Sequence, residues 1–324
     1  MDFIESIKRP IFAEMQEFEK KYSEVLSSDN WLLKSVHEYI IEGSGKKLRP
    51  ILTILAAKLF ANITEATLYS AFSLELLHMA SLIHDDVVDD TFERRGRDSV
   101  NARYNNKVAV LTGDYILSKS LYCANATKIL DIMEAISIVG MILPDGELLQ
   151  LANQNQSSIT EKEYFQIINK KTATLFATCT FVGGLSVNAP QENLHHLRKF
   201  GEYLGICFQI KDDIFDYYED AKIGKPTGND VRDGKLTLPL IYALENSTPE
   251  EKEKIIKLID DKDFTNKNIL TIMEFAHKKG GVKYAIDTMD DFVKKAEIEL
   301  SHLPKNEIND TLKLCLHFVA ERNF

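Results

Sequence analysis

Apolar residues recur at three- and four-residue steps from the start of the chain, in Ile4, Ile7, Ile11, Met15 and Phe18 and again in Tyr164, Ile168 and Leu175. This is the spacing of one face of a helix. Only 8 prolines and 15 glycines interrupt 324 residues, and neither a strand-like alternation nor a solenoid repeat is visible. The pattern predicts an all-α fold in a single domain over residues 1–324. Helix breaks are expected at the GSGKK turn before Leu48, the ERRGR loop, Pro144, Gly183–Gly184, the IGKPTGND loop and Gly280–Gly281.

Hydrophobic residues make up 44% and charged residues 27% of the chain, the balance of a globular protein. Acidic residues outnumber basic ones 49 to 39, a net charge of -10, which argues against general nucleic-acid binding. No apolar run approaches the ~20 residues of a membrane span. The opening residues carry too many carboxylates for a targeting segment, so a cytoplasmic location is expected. The amphipathic first segment is expected to pack within a dimer. Cys123, Cys179, Cys207 and Cys315 have no paired spacing and read as buried thiols. The eight histidines form no zinc-binding pattern, so any metal chemistry falls to oxygen ligands.

Residues 71–90 read AFSLELLHMASLIHDDVVDD, an apolar helical stretch ending in four carboxylates. Two carboxylates about 4 Å apart at an effective dielectric of about 20 repel by about 4 kcal/mol, so a partly enclosed cluster calls for a cation. At about 100° per residue, Asp89 lies about 40° from Asp85 and Asp86 about 100° round on the same side. Residues 206–218, ICFQIKDDIFDYY, repeat the arrangement with Asp212, Asp213 and Asp216. Gln209 shares that arc while Lys211 points away. One acidic face at a helix end is often a solvated fringe. Here there are two, each in an apolar helix and each followed by a basic, glycine-containing loop, FERRGR and then IGKPTGND with its GK. Positive charge beside each cluster points to a phosphate-rich ligand. With no Walker loop and no Ser/His/Asp pattern, carboxylates holding Mg²⁺ and bases clamping phosphates remain. Mg²⁺ suits this, since it takes one or two carboxylates together with substrate phosphate oxygens and water.

The chain contains, in this order, GKKLRP, ELLHMASLIHDDVVDDTFERRG, KTATLF, FQIKDDIFDY and GKPTGNDVRDGKLTLP. Together these segments resemble the trans-prenyltransferases of the polyprenyl synthetase family, from Gly43 to about residue 240. The resemblance implies the isoprenoid synthase fold, a bundle of about ten core helices around a deep central cavity. It also implies a homodimer and three Mg²⁺ ions per site. Asp85, Asp89 and Asp212 would be metal ligands, with Asp216 grouped beside them and Asp86 and Asp213 in support. Lys46, Arg49, His78 and Arg95 would clamp a homoallylic diphosphate. Arg94, Lys171, Thr172, Gln209, Lys225 and Lys235 would meet an allylic one. Of these, the aspartates at 85, 86, 89, 212 and 213, with Arg94, Lys171 and Lys225, are the residues expected to act on the reacting groups. Plainer roles exist: Lys46 and Lys47 as solvated turn residues, Arg94 and Arg95 as a surface pair, His78 as a core histidine. However, His78 lies about 20° from the direction of Asp85, and Lys171 is in line with Ile167 and Leu175, so both read as inward-facing.

The implied reaction joins an allylic diphosphate, with farnesyl diphosphate the expected primer, to successive isopentenyl diphosphates and releases diphosphate. The departing diphosphate takes the proton, so no general base is required. Product length would follow from the room along the first acidic helix, where one turn of about 5.4 Å is close to one five-carbon unit. Short-chain members of the family carry a bulky residue four or five positions before the first aspartate. This chain has Ala80 and Ser81 there, with Leu77 beside them, and Met133 or Ile136 as candidate floor. A membrane-seeking product of roughly C30–C50, centred on octaprenyl, is expected at about one turn per unit. The alternatives are a shorter-chain synthase, a class I terpene cyclase, or the non-catalytic subunit of a two-component synthase. The DDIFD cluster and GKKLRP weigh against the cyclase. The full set of aspartates weighs against the subunit.

Overall fold

The computed structural model describes residues 3–43, 45–153, 159–218 and 228–321. The chain runs through α1 (Phe3–Lys8), a 3-10 turn (Arg9–Ile11), α2 (Phe12–Val25), α3 (Trp31–Glu42), α4 (Leu48–Lys58) and α5 (Glu65–Val88). A hairpin of β1 (Glu93–Arg94) and β2 (Arg97–Asp98) leads to α6 (Val100–Arg103), α7 (Asn106–Ala126), α8 (Leu130–Asn153) and α9 (Glu161–Ile168). A π-turn (Asn169–Ala173) precedes α10 (Thr174–Leu185) and α11 (Gln191–Phe215). Six further helices follow: α12 (Asn229–Arg232), α13 (Leu238–Glu245), α14 (Pro249–Asp260), α15 (Asn266–Lys278), α16 (Gly281–Ser301) and α17 (Glu307–Glu321).

The fold is all-α, as the periodicity predicts. Three details differ from the sequence expectation. The ERRGR loop is a small antiparallel hairpin with Glu93 opposite Asp98, too short to leave an alternating pattern. Arg95 and Gly96 at its tip both have positive φ, as a two-residue hairpin turn requires. Pro144 does not break α8. It costs one backbone hydrogen bond, about 3 kcal/mol, while Leu143 before it and Gly146 after it stay buried and hold the helix together. Third, the apolar face of the first segment needs no second copy, because Ile7, Ile11, Met15 and Phe18 are buried within this chain.

Packing divides the chain into two compact units, Met1–Met141 with Phe176–Arg198 and Leu300–Leu314, and Ile142–Leu175 with Lys199–Glu299 and Cys315–Phe324. In the first unit α5 lies along α7 and against α4. The ring of Phe18 stacks on Tyr22 at 5.2 Å and meets Phe72 of α5 at 5.2 Å. Buried Ser73 and Ser120 exchange hydrogen bonds between α5 and α7. A capping box of Thr64 and Thr67 starts α5, and Thr67 also meets Ser186 at 2.6 Å. A Cβ on Gly183 would lie 2.3 Å from the Thr53 carbonyl oxygen, so α10 approaches α4 as closely as only glycine permits. α5 is long and apolar enough to cross a membrane, but 67% of its most apolar window is buried inside the protein, so it is read as a core helix.

In the second unit α13 packs on α15 and α9. The rings of Tyr242 and Tyr284 stack at 4.1 Å, and Tyr284 donates to Glu161. His277 bonds the Tyr217 carbonyl at 2.7 Å, which ties α15 to the end of α11. All four cysteines are buried thiols.

Candidate active site

The first unit brings Gly45 of GKKLRP and the arginines of ERRGR to the acidic half of α5. Gly43, Gly45, Glu75, His78, Asp86 and Arg95 are among the residues lining one pocket. Arg95 donates to the Gly43 carbonyl at 3.2 Å, and a Cβ on Gly45 would sit 2.9 Å from its guanidinium. The glycines of the turn thus let the backbone lie against Arg95. Arg49 carries its guanidinium 5.3 Å from the Phe176 ring centroid. Burial, followed by the charges of Arg49, Arg95 and Arg94, pushes the His78 imidazole well below its usual range, so it is neutral near pH 7. Lys46 is exposed, and Lys47 lies 3.7 Å from Glu19.

Asp86 is buried, and Arg94 grips it through Nε and Nη2 at 2.6–3.0 Å. Arg94, expected on substrate, is therefore paired with one of the aspartates. Asp85 is half-buried and Asp89 exposed at the helix end. Ala80 and Leu77 are buried, while half-buried Ser81 donates to the His78 carbonyl at 2.9 Å. Ile136 is buried and Met133 half-buried. The sequence pattern did not mark Glu75. Its Oε2 and the Arg49 Nε are buried with no hydrogen-bond partner, and burial raises the Glu75 carboxyl while Arg49 pulls it down.

The second unit places Lys171, Gln209, Asp213, Asp230 and Lys235 around a pocket. Lys171 and Thr172 sit in the π-turn, a local rewinding often found at functional sites. Lys171 pairs with Glu147 at 2.7 Å and donates to Gln150 at 2.8 Å. Thr172 donates to Gln209 at 2.8 Å, and Gln209 donates to Asp213 at 2.9 Å. Tyr164, unmarked in the sequence because it lies 49 residues from its partner, donates to the other oxygen of Asp213 at 2.6 Å. Burial and then Asp230 hold the Asp213 carboxyl well above its usual range, against the pull of these two donors.

Asp216 accepts the backbone N–H groups of Asn229 and Asp230 at 2.9 and 2.8 Å and so caps α12. Burial and the Asp216 charge raise Asp230 to about 6, opposed by Lys235. The Lys235 ammonium donates to Asp233 at 2.9 Å. Lys225 lies outside the described residues. Among the described residues, no three His, Cys, Asp or Glu side chains gather as a metal-holding group. The oxygen donors of each face nevertheless suit a hard ion that draws most of its ligands from phosphate and water.

Residues 30–275 match the polyprenyl synthetase family. The chain is 33% identical over 302 residues to the octaprenyl diphosphate synthase of Escherichia coli (strain K12), covering 93% of each chain. It superposes with a TM-score of 0.93 on a decaprenyl diphosphate synthase from Rhodobacter capsulatus, 32% identical and covering 98% of both chains. A geranylgeranyl pyrophosphate synthase from Bacteroides thetaiotaomicron is 42% identical over 99% of this chain and 100% of that one, with a TM-score of 0.86. With its all-α isoprenoid synthase architecture and these relatives, the chain belongs to the polyprenyl synthetase family and is a trans-prenyl diphosphate synthase.

Proposed function

We propose that this synthase extends an allylic diphosphate, such as farnesyl diphosphate, with successive isopentenyl diphosphates to an all-trans product of roughly C30–C50, at about one helical turn per added unit. The observation that carries the long product is the small pair, buried Ala80 and half-buried Ser81, five and four residues before Asp85. Similarity to octaprenyl and decaprenyl synthases supports it. The 42% identity to a geranylgeranyl synthase favours a second reading, a C20 product.

In each condensation the allylic C–O bond breaks, the isopentenyl double bond forms the new C–C bond, and the departing diphosphate takes the proton. Asp85, Asp89 and Asp212 would hold Mg²⁺, which when bound draws charge from the leaving diphosphate. Arg49, Arg95 and Lys46 bind and orient the isopentenyl diphosphate, and neutral His78 donates a hydrogen bond beside them. Lys171, Thr172, Gln209 and Lys235 orient the allylic diphosphate, and Lys225 belongs with them by its motif. The protein's task is alignment and the exclusion of water from the cation.

A homodimer completes the proposal. Leu111, Leu121 and Tyr122 of α7 and Leu130 and Met141 of α8 are exposed, an apolar set that a second copy would cover. The activity is tested by incubating the purified chain alone with farnesyl diphosphate, labelled isopentenyl diphosphate and Mg²⁺. Label entering an organic-extractable product, and stopping when EDTA is added, is expected. No incorporation by the chain alone would contradict the reading.

A further inference from the structure

The hydrogen-bond chain that starts at Thr172 ends on a residue outside every motif. Thr172 bonds Gln209, Gln209 bonds one oxygen of Asp213, and the Tyr164 hydroxyl bonds the other. Tyr164 and Asp213 are each 3% exposed, so water does not replace these bonds without cost. The order of donors also sets the amide, with the Gln209 oxygen toward Thr172 and its NH₂ toward Asp213. Tyr164 is itself held in place. A capping box of Thr160 and Glu163 starts α9 one turn earlier, and the neighbouring Phe165 packs on Phe292 at 5.7 Å.

We propose that Tyr164 is a positioning residue for the second acidic face. By holding one oxygen of Asp213 while Gln209 holds the other, it makes Asp213 the anchor of the relay and sets where Gln209 and Thr172 meet a diphosphate. Tyr164 touches neither metal nor reacting carbon; it acts through Asp213 and Gln209. The inference rests on the functional reading above, in which those two side chains contact the allylic diphosphate and Asp212 holds Mg²⁺.

Tyr164→Phe removes a single oxygen and tests this in the full chain. The KM for allylic diphosphate should rise about ten-fold, the effect of one hydrogen bond to a charged group, with the KM for isopentenyl diphosphate unchanged. The rise in melting temperature that Mg²⁺ with inorganic diphosphate gives the wild type should be mostly lost. Thr172→Val, which cuts the other end of the relay, should reproduce both effects, and the double variant should add little. Because Thr172 itself meets the diphosphate, the double variant rather than Thr172→Val alone reports on Tyr164; should Tyr164→Phe fold poorly, its KM is taken at a temperature below its own melting point and its melting shift from that point. Tyr22→Phe, which removes a buried hydroxyl with no partner, should change neither readout. An unchanged allylic KM, or an unchanged melting shift, in Tyr164→Phe would overturn the proposal. If the wild type transfers no prenyl group, the functional reading fails, and the melting shift alone still decides the role of Tyr164.

Discussion

Arg94 holds Asp86 at three points, with Nε 2.8 and 3.0 Å from the two carboxylate oxygens and Nη2 2.6 Å from one of them. The first acidic face therefore carries its own counter-charge. Arg94→Ala would leave a carboxylate that is 3% exposed without its partner, a cost of about 1–3 kcal/mol after allowing for the partly exposed arginine. A thermal melt should show a drop of a few degrees alongside the loss of activity. Arg94→Lys should recover only part of it, since an ammonium cannot supply the fork. Wild-type melting of the alanine variant would contradict the pairing.

Two glycines should respond differently to alanine. The new Cβ at position 45 meets the end of the flexible Arg95 side chain, which can move away. Gly45→Ala should keep its melting temperature and raise the KM for isopentenyl diphosphate about ten-fold, as expected when one charged contact is displaced. At position 183 the Cβ meets backbone, the Thr53 carbonyl. Gly183→Ala should cost about 1–3 kcal/mol or more in a denaturant melt, because helix must part from helix.

The second acidic face should make stability fall as pH rises. Asp230 is raised to about 6 from its usual 3.8, so the folded state holds a proton that the unfolded chain has lost. The stability this provides is fully present below pH 3.8 and is lost as pH rises through about 6. Above that, an ionised Asp230 faces the charge of Asp216. Asp230→Asn should therefore raise the melting temperature more at pH 8 than at pH 5 when each is compared with wild type. A larger gain at pH 5 would show that the sign is wrong.

Ser81→Phe is the better test of chain length. Ala80 is 1% exposed, and a phenylalanine there would strain the core by about 1–3 kcal/mol. Ser81 is half-buried and loses only its bond to the His78 carbonyl. Its replacement should shorten the product toward C15–C20 by blocking the path about one turn from Asp85, with condensation retained. Unchanged product length on reversed-phase chromatography would rule this out.

The helices and both acidic faces were legible because a 3.6-residue period and clustered carboxylates are local properties. What each carboxylate does was not. Asp86 meets Arg94 across a turn, Asp216 caps a backbone turn that returns to it thirteen residues later, and Asp213 is held from another helix by Tyr164. Such pairings depend on how the chain folds back, and no spacing in the sequence encodes them. Pro144 reads as a break because the rule that proline ends helices ignores the buried neighbours, Leu143 and Gly146, that keep the helix whole. The hairpin at ERRGR leaves no mark in the sequence because two-residue strands have no period.

The central claim, a long-chain trans-prenyl synthase acting through two acidic faces, is tested most directly by product size. The purified chain, given farnesyl diphosphate and excess isopentenyl diphosphate with Mg²⁺, should accumulate prenyl diphosphates of roughly C30–C50, at about one helical turn of room per unit. Accumulation that stops at C20, with no longer product as isopentenyl diphosphate is raised, would contradict it.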